Sequence, residues 1–298
     1  MTCPAGASRP CWTLIRTIRK CTGMCAWISM ACLPAGARSP SAWSRAAGRA
    51  SSPASGPYSC DDASLMKLPR DITARLVWAL DNLLPPALRD ARWFARLFIA
   101  PVARSRTRAY LDFKARAPGM SAHEYAAAYR ETAGVMDRET DLNRPCADAI
   151  EAALTGGAVL DVGAGRGWLA ARLSERCAVT ALDIVTPEGR DDGVGWVQGR
   201  FEALPFADDS FDGVVCAHVL EHVLDFEACL AELRRVTRGK LIIVVPLQRP
   251  YRHALDLHLN FFPWPEAFLL RARPGGRAHA WSVLGGDLYY EEDAAKAQ

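Results

Sequence analysis

From residue 158 to residue 245 short apolar runs alternate with amphipathic stretches. Val159-Leu-Asp-Val162 is a brief apolar run of the kind a strand shows when both of its faces are buried. The pattern predicts strands at 158–162, 178–183, 195–198, 213–218 and 240–245, with helices at 168–176 and 226–237 between them. Such alternation implies an α/β fold with a doubly wound, mostly parallel sheet joined by right-handed crossovers. The link from Asp183 to Gly195 is too short for a full crossover helix. Near the end, 280–284 and 288–291 flank Gly285-Gly286-Asp287, which predicts a C-terminal antiparallel hairpin.

Upstream the pattern changes. Residues 66–118 read as a basic helical arm. Ile72, Leu76, Leu80 and Leu83 share one face, with Asp71 as a cap, and Pro85-Pro86 ends that helix. A second helix is expected over 87–100, stopping at Pro101, with Arg89, Arg92 and Arg96 in one stripe amid Leu88, Trp93, Phe94, Leu97, Phe98 and Ile99. An apolar face with Trp, Phe and Arg suits a membrane interface, so peripheral membrane contact through residues 86–108 is one expectation; packing against the chain's own domain is the other. Ser121-Ala-His-Glu124 matches a capping box opening a helix that carries Tyr125 and Tyr129, and Pro145 is placed to open another that ends near Leu154. Residues 119–298 are expected to form the main domain. Residues 1–65, rich in Ala, Ser, Arg, Pro and Cys and without periodicity, read as a disordered or mis-annotated leader, with Met66 as a natural start.

Charge and cysteine usage sharpen this division. The first sixty residues hold seven Lys/Arg and no acid, residues 66–118 hold eleven basic and four acidic groups, and residues 119–298 hold eighteen basic and twenty-seven acidic groups. An acidic main body argues against nucleic acid as its substrate. Cys146, Cys177, Cys216 and Cys229 sit in apolar settings and read as small buried hydrophobes. The Cys21–Cys25 pair has no matching second pair, so it does not predict a zinc site. No stretch of eighteen apolar residues without charge is present, and the expected location is the cytoplasm, with or without membrane contact.

The first strand runs into Gly163-Ala-Gly165-Arg-Gly167. Strand, glycine turn and helix present a nucleotide-like ligand at the carboxyl edge of such a sheet. A dinucleotide fingerprint would place its third glycine at residue 168, which is Trp168. The pattern D-x-G-x-G-x-G resembles motif I of class I S-adenosylmethionine-dependent methyltransferases. Asp183, at the tip of the second strand, is placed to accept two ribose hydroxyl protons. "EALPFADDSFD" followed by "VVCAHVLEHV" strengthens the resemblance to the type 11 group over residues 145–292.

That resemblance implies a Rossmann-like sheet and S-adenosylmethionine as cofactor. It implies a cofactor site of Asp161, Gly163, Ala164, Gly165, Asp183, Phe201, Glu202 and His218. Relatives often carry Asp or Asn where this chain has Arg200, so the adenine contact is expected to fall to Phe201 or Glu202. Helices preceding motif I often cover the cofactor in this group, which makes 121–132 a candidate lid.

His218, Glu221 and His222 fall on one face if the segment is helical, and His258 follows the fifth strand at the same edge. His222, His218 and His258 are the candidate catalytic residues, with neutral imidazole as a general base. A divalent ion held by this cluster is an open alternative, but no residue is assigned as a metal ligand. The expected reaction is methyl transfer to a small or lipid-linked acceptor, at oxygen. The alternatives are an NAD(P)-dependent oxidoreductase and a non-catalytic binding protein that keeps the cofactor fold.

Overall fold

A computed structural model describes residues 83–132, 139–186 and 193–294, together with Ala79. The leader and most of the first expected arm helix lie outside the described residues, as does most of the link between Asp183 and Gly195.

Seven strands form one sheet: β1 (Ala158–Val162), β2 (Ala178–Asp183), β3 (Gly195–Gln198), β4 (Phe211–Ala217), β5 (Thr237–Pro246), β6 (His279–Leu284) and β7 (Asp287–Asp293). Their spatial order is β3-β2-β1-β4-β5-β7-β6. The first five are parallel, and β7 lies antiparallel between β5 and β6, closing the expected hairpin. The order reverses between β1 and β4, the point at which open α/β sheets bind ligands. The fold is thus Rossmann-like, doubly wound and mostly parallel.

Alternation along the strands sends side chains to two cores. Leu160, Cys216, Leu241, Ile243 and Tyr290 pack with α7 (Phe226–Val236) and α8 (Pro265–Ala272). Val159, Val215, Ile242, Val244 and Tyr289 pack with α5 (Arg144–Ala153) and α6 (Trp168–Leu173) on the opposite face. Cys146, Cys177, Cys216 and Cys229 are all buried in these cores, as small hydrophobes are.

Among the described residues the α-helices α1 (Pro86–Arg89), α2 (Arg92–Ala103), α3 (Thr107–Arg116) and α4 (Ala122–Thr132) precede α5. Two expectations are corrected here. The helix expected over 87–100 is broken at Asp90-Ala91, and Pro101 lies inside α2 instead of ending it. A proline three residues from a helix end forfeits one hydrogen bond, and Arg104 at φ 47° stops the helix instead. The arginine stripe also loses a member: Arg89 is buried, donates from Nη2 to the Pro250 carbonyl at 2.7 Å and lies 4.5 Å from the Tyr251 ring centre. At the start of α4 the capping box is present. Glu124 Oε2 accepts from Ser121 N at 2.8 Å, and Ser121 Oγ accepts from Glu124 N at 3.3 Å. A third core joins α2 and α3 (Ala95, Ile99, Ala103, Tyr110, Leu111, Phe113) to Leu257, with Tyr125, Tyr129, Leu255 and Leu259 packed around it. Through it the arm holds the loop that follows β5.

Candidate functional site

The carboxyl ends of β1 and β4 are neighbours, with Val162 paired to Cys216. From β1 the chain turns through Gly163, Gly165 and Gly167, all at positive φ, and Gly167 caps α6. A Cβ on Gly163 would come within 2.1 Å of Val219 Cγ2, whereas one on Gly165 would meet nothing within 4 Å. Gly163 is therefore required by packing against the turn after β4. Gly165 leaves bare backbone beside open space, as the approach of a flat ligand needs.

Two carboxylates flank this turn. Asp183 Oδ2 accepts from Gly165 N at 2.8 Å and Oδ1 accepts from Val185 N at 3.1 Å. Burial raises the Asp183 carboxyl above its ordinary value, against the pull of those N–H groups. Asp161 is buried and its Oδ2 has no partner among the described residues; burial and the charge of Asp183 push it up to about 7. Phe201 and Glu202 lie half-buried in the turn after β3, where Arg200 Nη2 is 3.5 Å from Glu202 Oε2.

The turn after β4 carries the second group. His218 sits at φ 56°, and its Nδ1 lies 3.2 Å from Glu221 Oε1 while Nε2 forms a 3.3 Å ion pair with Asp287 Oδ2. Asp287 Oδ2 also accepts from Asn143 Nδ2 at 2.7 Å. Burial opposes protonation of His218, but the two carboxylates outweigh it and raise the imidazole to about 10. His218 is thus a cation clamping β4 to β7 and α5. It is engaged away from the other two histidines.

His222 and His258 do come together, with ring centres 4.7 Å apart at 77°. Asn260 explains why. Its Nδ2 donates to the carbonyls of Leu220 and Val223 at 2.8 Å each, and the backbone N–H groups of Leu259 and Asn260 donate to the Glu221 carbonyl. The two loops are stitched into one unit. His258 Nδ1 meets Gln248 Oε1 at 2.5 Å, which fixes the proton on Nδ1 and leaves Nε2 as an acceptor. Gln248 Nε2 in turn donates to Asp256, which also accepts from Lys114 at 2.9 Å. Burial opposes ionisation of Asp256, yet His258 and Lys114 hold its carboxyl below the usual range.

His222 Nδ1 is buried without a partner among the described residues, and burial together with neighbouring His258 lowers the imidazole to about 4. Glu221 is fully buried; burial disfavours its charge, but His218 holds it near 2. Its Oε2 has no partner either. A buried polar atom left unpaired costs roughly 1–3 kcal/mol. Over this group lies α4: Tyr129 faces His222 edge-on at 5.8 Å, and Tyr125 donates to the His222 carbonyl.

Gln248, Lys114 and Asn260 were not foreseen in these roles. Lys114 and Asp256 are separated by 142 residues, and no local pattern links them. A separate hollow of about 470 Å³ beside α7 and α8 shares no residue with this edge. Three of its arginines, Arg234, Arg235 and Arg271, are paired with acids.

Residues 160–244 match the family model of a methyltransferase domain. This segment is a methyltransferase domain of the S-adenosylmethionine-dependent class. Among curated relatives, the ubiquinone/menaquinone biosynthesis C-methyltransferase of Paracoccus denitrificans is 37% identical over 108 residues, covering 31% of this chain and 43% of the relative. The malonyl-[acyl-carrier protein] O-methyltransferase of Erwinia pyrifoliae is 35% identical over 122 residues, covering 38% and 47%. The demethylmenaquinone methyltransferase of Beutenbergia cavernae is 28% identical over 172 residues, covering 51% and 71%. The chain thus spans less than half the length of the first two relatives. Among solved structures, the 1,6-didemethyltoxoflavin-N1-methyltransferase of Burkholderia thailandensis is 25% identical, covering 59% of this chain and 92% of its own, with a TM-score of 0.48.

Proposed function

We propose that the chain transfers a methyl group from S-adenosylmethionine to a small or lipid-linked acceptor bearing an acidic hydroxyl. The observation that carries this reading is the meeting of two built halves at the β1/β4 switch point: the open glycine turn with Asp183, and the Glu221–His222–His258 group packed against it through Val219. S-adenosylmethionine supplies a methyl group made electrophilic by its sulfonium. Asp183 holds the ribose hydroxyls on the remaining lone pairs of its carboxylate, and Gly165 allows the cofactor to lie against backbone. Asp161 serves the same turn from below. Tyr129 and Tyr125, on α4, shield the edge from water and align the acceptor. The Glu221–His222–His258 group faces the acceptor and promotes loss of its proton; His218 acts only by positioning Glu221.

We read the methylated atom as oxygen. A second reading, a ring carbon of a quinol-type acceptor, is favoured by the names of the relatives. Both readings need the same deprotonated hydroxyl. The exposed Trp93, Leu97 and Phe98 of α2, beside exposed Arg92 and Arg96, fit contact with an anionic membrane surface that would deliver a lipid-linked acceptor. No described helix is long and apolar enough to cross a membrane.

The test is release of S-adenosylhomocysteine from S-adenosylmethionine with a panel of phenols, quinols and acyl-carrier esters. His222→Ala should slow transfer with any accepted substrate at least tenfold, with cofactor affinity held within about threefold, or about 0.7 kcal/mol. An unchanged rate would remove the group from the acceptor side.

A further inference from the structure

We propose that Glu221, His222 and His258 form a three-ligand site for a zinc-class divalent ion, with an open position toward the acceptor. One donor atom from each residue lies within 4.8 Å of the other two. Tetrahedral coordination at bonds of about 2 Å places ligand atoms about 3.4 Å apart, so closure needs shifts of about 1 Å, within reach of side-chain rotation. Two nitrogens and one carboxylate oxygen, with a fourth position left open, is the donor set of catalytic rather than structural zinc.

Three further observations converge on a cation. Glu221 is wholly buried, its Oε1 is taken by His218, and its Oε2 has no partner among the described residues. His222 Nδ1 is buried without a partner as well. His258 donates Nδ1–H to Gln248, and Gln248 donates to Asp256, which is the outer support that orients metal-binding imidazoles. His218, which spacing alone would include, is excluded because both of its ring nitrogens face carboxylates.

The catalytic use of the ion rests on the function proposed above. At the open position the ion would acidify the acceptor hydroxyl. The O–H bond breaks with its proton passing to solvent. The oxygen forms its bond to the methyl carbon as the sulfonium sulfur takes back the S–C electron pair.

The experiment uses the full chain after EDTA treatment and desalting. Titration with Co²⁺ should give a visible d–d band of tetrahedral character saturating at one equivalent, displaced by Zn²⁺. His258→Ala and Glu221→Gln, each checked for folding by circular dichroism, should weaken Zn²⁺ binding at least 100-fold. A wild-type chain that leaves the spectrum of aqueous Co²⁺ unchanged overturns the proposal, whatever the variants do. Undiminished binding in folded His258→Ala overturns it too. S-adenosylmethionine binding is measured on the same metal-free sample. Cofactor binding without Co²⁺ binding sinks the metal site alone. Co²⁺ binding without cofactor binding sinks the methyl-transfer reading alone.

Discussion

Gly163→Ala tests the junction on which the account depends. At φ 73° an L-residue pays roughly 1–2 kcal/mol for the left-handed conformation. The new Cβ would also lie 2.1 Å from Val219 Cγ2, well inside contact distance, and Val219 is only 5% exposed and cannot swing out freely. Overpacking of this kind costs about 1–3 kcal/mol more. The variant should therefore lose roughly 2–5 kcal/mol in urea denaturation at an unchanged m-value. Val219→Ala removes the clashing methyls, so the double variant should recover the overpacking part and retain the backbone part. That non-additivity is the signature of direct contact. A Gly163→Ala stability within about 0.5 kcal/mol of wild type, or simple additivity of the two substitutions, refutes the contact.

Three further outcomes are expected. Asp183→Ala should weaken S-adenosylmethionine binding at least tenfold, about 1.4 kcal/mol, by calorimetric titration; unchanged affinity refutes its ribose role. His218, raised to about 10, contributes stability that is fully present below its unfolded value near 6.5 and is lost as pH rises through about 10. Its ring should remain protonated at pH 8 by NMR, and Asp287→Asn should bring its titration down; a ring already neutral at pH 8 in the wild type contradicts the clamp. The double variant Trp93→Ser, Leu97→Ser should lose co-sedimentation with phosphatidylserine vesicles while keeping cofactor affinity, and no sedimentation of the wild type would dismiss the membrane contact.

The sheet was legible because each of its signals is local. Val159–Val162, Ala178–Asp183 and the Gly285-Gly286 turn specify strands and a hairpin through burial and backbone conformation alone, and all appear where expected. Gly163, Gly165 and Asp183 were legible for the same reason. The histidine group was legible only as topology: two loops at one edge. Its membership depends on Asn260 bonding Leu220 and Val223, and on Lys114 reaching Asp256, contacts made across 40 and 142 residues. The fate of His218 turned on Asp287, a residue read only as part of a turn. Arg89 was misplaced because helical spacing cannot report that Pro250 and Tyr251 draw it inward.

The most direct measurement is paired calorimetric titration of the full chain with S-adenosylmethionine and with NADH. Saturable one-to-one binding of S-adenosylmethionine and none of NADH is expected, because the open turn at Gly165 and the acid at Asp183 suit a nucleoside while the glycine spacing lacks the pyrophosphate cradle. Binding of NADH in place of S-adenosylmethionine would contradict it.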